Sequence, residues 1–367
     1  MKIAILGSRG IPNDYGGFEE CAEHLAIFLK EMNNEVYVYS TKSHPFKGDM
    51  WNGVHLIHIE DFARSSMNTS VLYDFLCLLD VSHRQFDVVI QLGYSPSGLF
   101  SIILKVLRVP TITNMAGMEW KRSKWGPLAR NVIRLSERLA VRNSDIVVSD
   151  NIGVKQYIDE KYGVSSVFIP YGATIPSRFP EEVICKYRLK KGQYMLVIAR
   201  LQADNNVEMI IKGCLQAHIE GIPLVIVGAL NSEYAKNLKT RYGSNQNIQF
   251  VGANYDKEEL MTLRKYSFIY FHGHSAGGTN PSLLEAMAAG ARIAAFDCIF
   301  NRNVLGPSAV FFKDKDDVTR IILNIDRIYE GNWIAANRIK ITNDYQWNKV
   351  GMQYLNLALN LARRKLK

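Results

Sequence analysis

At 367 residues the chain is longer than one ordinary core organises and suggests two domains. With 47% hydrophobic and 22% charged residues it reads as soluble and globular, which excludes disordered and collagen-like classes. A formal net charge of +9 is too modest, without a nucleic-acid motif, to indicate DNA or RNA binding, and five scattered cysteines with no CxxC pair exclude a disulfide scaffold or a zinc ribbon and fit a reducing cytoplasm.

In chain order, Lys2–Leu6 predicts a strand, and the apolar run ending at Gly7 is too short for a secretory leader. Residues 7–17 (GSRGIPNDYGG) form a glycine-rich loop that lacks the GxGxxG dinucleotide fingerprint. A plain βα turn takes about 2–6 residues, so a loop of this length suggests function. Cys21, Leu25 and Leu29 give 18–32 a helical period. Strands are predicted at 35–40, 54–58, 87–91, 111–114, 145–149 and 167–169, alternating with helical patterns, which implies a parallel sheet with right-handed crossovers. The most apolar stretch, 99–112, is broken by Lys105, Arg108 and Pro110, so no transmembrane helix is expected. A basic strip follows, with Lys121, Arg122, Lys124, Arg130, Arg134, Arg138 and Arg142 near Trp120 and Trp125. Such a surface suits a lipid-phosphate acceptor or an anionic membrane, and a solvated helix face is the plain alternative.

The segment 170–180 reads as a linker. A second alternating series then begins, with strands at 195–199, 224–227, 248–251, 268–271 and 292–296, and a last helix at 347–364. The repeated rhythm predicts an α/β chain of two Rossmann-like domains facing across a cleft, with ligands beyond the carboxyl ends of the strands.

The stretch His272–Gly290 (HGHSAGGTNPSLLEAMAAG) is the centre of the second half. A strand runs into a turn at Gly277 and Gly278, then Asn280 as helix cap and Pro281 as first helical residue. Leu283, Leu284, Met287 and Ala288 supply the apolar stripe. The free N–H groups and positive dipole end of such a helix attract anions. Glu285, one turn in, could accept two hydroxyl hydrogen bonds from a ribose. His272 and His274 have no third ligand nearby in sequence and read as polar lining, not as a metal site.

This stretch resembles the donor site of the retaining glycosyltransferases of family 4, which have the GT-B fold, and its GGTNPSLLEAM form resembles a subgroup of bacterial rhamnosyltransferases. Their signature is Glu, seven residues, Glu. Glu285 matches the second position, and Gly277 stands where the first would be. By the same resemblance Arg200 grips the donor diphosphate, and Asn205 stands where relatives often carry a second cation. Gly16 and Gly17 lie under the diphosphate, Gly252, Ala253 and Asn254 read the nucleobase, and Gly278, Thr279 and Asn280 with Arg200 form the catalytic turn. Glu119, Lys121, Arg122 and Lys124 fall on the acceptor and membrane side. The resemblance implies domains 1–172 and 173–345, with a C-terminal helix 346–365 that rejoins the first. It further implies transfer of a sugar, with L-rhamnose from dTDP-L-rhamnose favoured, to a lipid-linked saccharide in surface polysaccharide synthesis. The setting would be cytoplasmic, peripheral at the inner face of the cell membrane, with no cofactor and no metal. An inverting enzyme would need a base, for which Asp14 or Glu119 are candidates. A nucleotide-sugar epimerase of the same fold and a non-catalytic nucleotide-sugar-binding subunit are the alternative readings.

Overall fold

The computed structural model describes residues 1–14, 16–61, 67–329 and 331–365. The chain forms two bodies. The first contains Met1–Lys121, Trp125–Tyr171 and the stretch from Trp347; the second contains Arg122–Lys124 and Gly172–Gln346.

The first body is built on β1 (Lys2–Leu6), β2 (Glu35–Thr41), β3 (Met50–Trp51), β4 (Val54–Ile59), β5 (Val88–Leu92), β6 (Thr111–Asn114), β7 (Ile146–Ser149) and β8 (Val167–Phe168). Their order across the sheet is β3-β4-β2-β1-β5-β6-β7-β8. β1 and β5 lie in the middle and are covered on both faces, which is why KIAIL and VVIQL are apolar almost throughout rather than alternating. The sheet is not purely parallel as expected: β3 pairs antiparallel with β4 at one edge. The reason is local. Asn52 and Gly53, both at positive φ (48° and 78°), make the two-residue turn that lets a hairpin form.

The helix Gly17–Glu31 buries Cys21, Ala22, Leu25 and Leu29. Its other neighbour is the last helix, Trp347–Lys365, which belongs to this body. Gly351 lets the two helices approach, because a Cβ there would fall 2.4 Å from the Phe28 ring. His24 and Trp347 stack at 4.4 Å between ring centres, and Asn114 Nδ2 donates to Tyr354 Oη at 2.9 Å. The final helix is thus tied by packing and by one buried hydrogen bond to the end of β6.

The second body has β9 (Met195–Ile198), β10 (Leu224–Val227), β11 (Ile248–Gly252), β12 (Ile269–His272), β13 (Ile293–Phe296) and β14 (Val310–Phe312). The order is β11-β10-β9-β12-β13-β14, parallel throughout. β14, only three residues long, is an addition to the strands expected from sequence. The core joins Val197, Ile226 and Phe271 of the sheet to Ile210, Ile211, Val318 and Ile321 of flanking helices. Each such side chain, fully buried, stabilises by about 1.5–3 kcal/mol. β9 has β10 on one side and β12 on the other, so chain direction across the sheet reverses between β9 and β12. The crevice beyond the carboxyl ends at such a switch point is where open α/β sheets bind ligands. Among the described residues, no helix is long and apolar enough to cross a membrane.

Candidate functional site

The turn after β12 leads into the helix Pro281–Ala289. The cap forms as the sequence predicts: Asn280 Oδ1 accepts from Ser282 N at 3.0 Å, Pro281 opens the helix, and Gly290 closes it at φ 73°. Thr279 is buried, and Gly278 lies in the turn before it. Gly277 has φ 125°, a conformation open in practice to glycine alone, and a Cβ added there would meet nothing within 4 Å. Position 277 therefore faces open space, but on a backbone that a glutamate would strain.

Glu285 has a partner that sequence reasoning missed. Arg264, on the helix Lys257–Tyr266, is 1% exposed. Its Nη2 lies 2.5 Å from Glu285 Oε2 and 2.9 Å from Ser282 Oγ, and its guanidinium sits 5.8 Å from the centre of the Tyr270 ring. Tyr270 Oη closes the group, 2.9 Å from Ser282 Oγ. One carboxylate oxygen of Glu285 is therefore fixed by a buried cation, while the side chain keeps 32% of its surface.

Arg200 follows β9 and is exposed. Its own carbonyl accepts from Asn205 Nδ2 at 2.7 Å, and Asn205 is buried. The amide of Asn205 thus holds the Arg200 turn instead of pointing outward as a second diphosphate ligand. Arg122 and Ser123 lie with this body: Arg122 Nη1 is 3.4 Å from Asp204 Oδ2, and Ser123 Oγ is 3.4 Å from Asp204 Oδ1. Arg122 is thereby withdrawn from the basic surface expected of it, its side chain only 16% exposed.

His272 and His274 stack face to face, ring centres 4.4 Å apart and planes 15° from parallel. Burial, then the Arg264 charge, pushes His272 down to about 3. Burial, then His272, Arg200 and Arg122, holds His274 well below the ordinary imidazole range. Both rings are therefore neutral at physiological pH. Both nitrogens of His272 and Nδ1 of His274 are covered and have no hydrogen-bond partner. Leaving a covered polar atom unpaired costs about 1–3 kcal/mol, so three of them in one stack is a costly arrangement.

Gly252 ends β11 at φ 90°, and its carbonyl accepts from Gly228 N at 2.8 Å, joining the ends of adjacent strands. Ala253 is exposed beyond it. Asn254 Nδ2 donates to Tyr187 Oη and to Glu259 Oε2, both at 2.8 Å, and its Oδ1 accepts from Asp256 N at 2.7 Å, so its side chain organises the next helix start. The structure thus gathers Arg200, the 277–280 turn and Glu285 at the carboxyl ends of β9 and β12, with Gly252 two strands away.

In the first body, Gly16 caps and Gly17 begins the helix Gly17–Glu31. The loop before it is held by the helix's own acids. Arg9 N donates to Glu19 Oε1 at 2.8 Å, and Asn13 donates through N to Glu23 Oε2 at 2.6 Å and through Nδ2 to Glu20 Oε2 at 2.7 Å. Burial raises the Glu19 carboxyl above its usual value. Glu119 Oε1 accepts from Trp125 Nε1 at 3.2 Å. Lys121 and Lys124 are exposed, Lys121 Nζ lying 5.6 Å from the Trp120 ring centre.

A second feature escaped the sequence. Glu137, on the helix Pro127–Asn143, has its side chain 1% exposed. Tyr94 Oη (3.1 Å), Trp120 Nε1 (3.1 Å), Tyr157 Oη (2.7 Å), Tyr162 Oη (2.7 Å) and Lys161 Nζ (2.9 Å) all donate to it. It pins Trp120, over which Arg134 lies at 4.4 Å. Among the described residues no three His, Cys, Asp or Glu side chains come together as a metal site.

Against known proteins, residues 181–344 match the family described as glycosyl transferases group 1, and residues 1–174 match a domain of unknown function (DUF1972). A relative described as an uncharacterized glycosyltransferase of Methanocaldococcus jannaschii is 29% identical over 246 residues, and the match spans 61% of each chain's length. Among solved structures, a sucrose-phosphate synthase of Thermosynechococcus elongatus superposes with a TM-score of 0.78 at 14% identity, covering 98% of both chains. Anabaena HepE, in complex with UDP and glucose, gives 0.75 at 14% identity, covering 98% of this chain and all of that one. At these identities the likeness establishes the fold, which is GT-B.

Proposed function

We propose, for a chain whose residues 181–344 match the family described as glycosyl transferases group 1, an enzyme that moves a sugar from a nucleotide-sugar donor to a lipid-linked saccharide, with retention. The observation that carries the reading is the grouping of Arg200, the capped start of the helix Pro281–Ala289 and the Arg264–Glu285 pair at the switch point of one sheet. HepE, of the same fold, is seen with UDP and glucose. Glu285 would take the donor ribose, Arg200 and the helix N-terminus the diphosphate.

In this reading the chemistry is electrostatic. Charge grows on the diphosphate as the glycosidic bond breaks, and fixed donors aimed at that charge lower the barrier more than they stabilise the ground state. Gly277 brings no carboxylate to the sugar, so the departing phosphate would accept the acceptor's proton on the same face. A site without that carboxylate does not penalise a sugar lacking the matching hydroxyl, which favours a 6-deoxyhexose, and with it L-rhamnose from dTDP-L-rhamnose. Lys121 and Arg134 beside Trp120, and separately the exposed Lys124, would meet the phosphate of the lipid acceptor and an anionic membrane at its cytoplasmic face. No cofactor, metal or nucleic acid enters this scheme.

The test is a panel of dTDP- and UDP-sugars scored by nucleoside diphosphate release, with membrane extract supplying acceptor. Release with dTDP-L-rhamnose that depends on extract supports the reading. Isomerised sugar without acceptor indicates an epimerase. Binding without release under any acceptor indicates a non-catalytic subunit, a reading that the absence of a second cation at Asn205 favours.

A further inference from the structure

The transfer scheme leaves the imidazole pair unused. A core histidine normally bonds at least one ring nitrogen, and His272, 1% exposed at the end of β12, bonds neither. The pair lies in the fields of three cations already described, Arg264 acting on His272 and Arg200 and Arg122 on His274. Its position is tightly fixed. Ser275 donates to the Asp204 carbonyl through N (3.0 Å) and Oγ (2.8 Å). Asn206 Nδ2 donates to the Gly273 carbonyl at 2.8 Å, and Asn301 Nδ2 to that of His274 at 2.9 Å. Gly273 passes so close to Asn205 that a Cβ there would fall 2.1 Å from its carbonyl oxygen. His274 itself is only partly buried, and with Nδ1 covered its Nε2 is the edge left open.

We propose that His274, seated on His272, is a phosphate ligand that takes up a proton when the donor's diphosphate binds at Arg200. One proton moves from solvent to Nε2, so that an O–H bond of hydronium breaks and an N–H bond forms; that N–H then donates to a phosphate oxygen, and no bond between heavy atoms changes. The proposal rests on the nucleotide-sugar reading of this site. Its physical basis is the balance of charge around the ring. His272, Arg200 and Arg122 act on His274, Arg264 acts on His272 and is itself paired with Glu285, and Asp204 is already paired with Arg122. Burial first, and then the neighbouring cations, keep the imidazole neutral when no anion offsets them. A diphosphate offsets that positive field and offers an acceptor, so the bound-state value rises. Proton uptake on binding means affinity is greater at low pH and lost as pH rises through the bound-state value, by at most about tenfold per pH unit for one proton.

The experiment is calorimetric titration of the full chain with dTDP-L-rhamnose and UDP-glucose, near neutral pH, in buffers of differing ionisation enthalpy. The phosphates of these diesters do not titrate near neutrality, so any proton taken up enters the protein. The expected result is uptake of up to one proton with a diphospho-sugar and none with thymidine or uridine. His274→Gln should abolish the uptake and weaken diphospho-sugar binding, roughly tenfold for a bound-state value about one unit above the working pH, whereas the exposed His83→Gln should change neither. If His274→Gln does not fold, the wild-type pH dependence decides, falling for the diphospho-sugar and flat for the nucleoside. Binding without uptake, or uptake that survives in His274→Gln, overturns the proposal alone. Absence of binding by either donor overturns the nucleotide-sugar reading and the proposal with it.

Discussion

Arg264 and Glu285 sit on different helices and meet at 2.5 Å, the arginine 1% exposed and the glutamate side chain 32% exposed. The carboxylate proposed to hold a ribose is therefore also the counter-charge of a buried guanidinium. On that proposal folding and donor binding draw on the same group, and substitutions there must be read on both scales.

Glu285→Gln is expected to lower stability by up to about 3 kcal/mol, because it removes the counter-charge of a buried guanidinium. It should also weaken dTDP binding by roughly 2–4 kcal/mol, charged hydrogen bonds being worth ~1.5–3 each. Denaturant unfolding and calorimetry measure the two separately. Lost stability with unchanged affinity would assign the pair to folding alone.

Arg200→Ala should cost about 10²–10³ in kcat, the scale of one donor lost from a site that stabilises developing charge. Its carbonyl, not its side chain, carries the contact with Asn205, so the fold should survive. Nucleoside binding should barely change. An equal loss for thymidine and for the diphospho-sugar would sink the diphosphate role.

Gly277→Ala should destabilise by about 1–3 kcal/mol, since φ 125° is strained for any residue with a Cβ even where space is open. Competition between dTDP-L-rhamnose and UDP-glucose is the clean test of donor choice and uses the wild-type protein. Preference for UDP-glucose would reject the rhamnose reading. Gly277→Glu alone could not decide it, because the backbone would shift with the charge.

Lys121→Glu with Lys124→Glu should reduce binding to anionic vesicles by more than tenfold, at ~1 kcal/mol per basic residue near such a surface. The effect should shrink as salt rises. Arg122 is left out because its contact with Asp204 gives it a structural part. Co-sedimentation unchanged by the double reversal would leave the strip as a solvated face.

Much of the architecture was legible because it is local. Apolar runs marked most strands, and Asn280 with Pro281 marked a helix start to the residue. The Asn52–Gly53 hairpin turn went unread, because the two-residue strand beside it carries too little pattern to stand out. What could not be read were contacts between distant side chains. In the helix Lys257–Tyr266, Arg264 looks like a surface charge until Glu285, in another helix, is brought to it. Glu137 reads as one acid in a basic amphipathic helix, and nothing local says that tyrosines 94, 157 and 162 converge on it. The His272–His274 stack is visible as spacing, but its unpaired nitrogens depend on everything around it.

The last helix has a consequence for biosynthesis. It covers Phe28 and bonds Asn114, yet residues 172–346, all but three of the second body, come between. At translation rates of about 5–20 residues per second, the nascent first body waits roughly 9–35 s for its closing helix. Throughout that interval the surface around Phe28 is available to chaperones, and the body translated second is the one free to finish first.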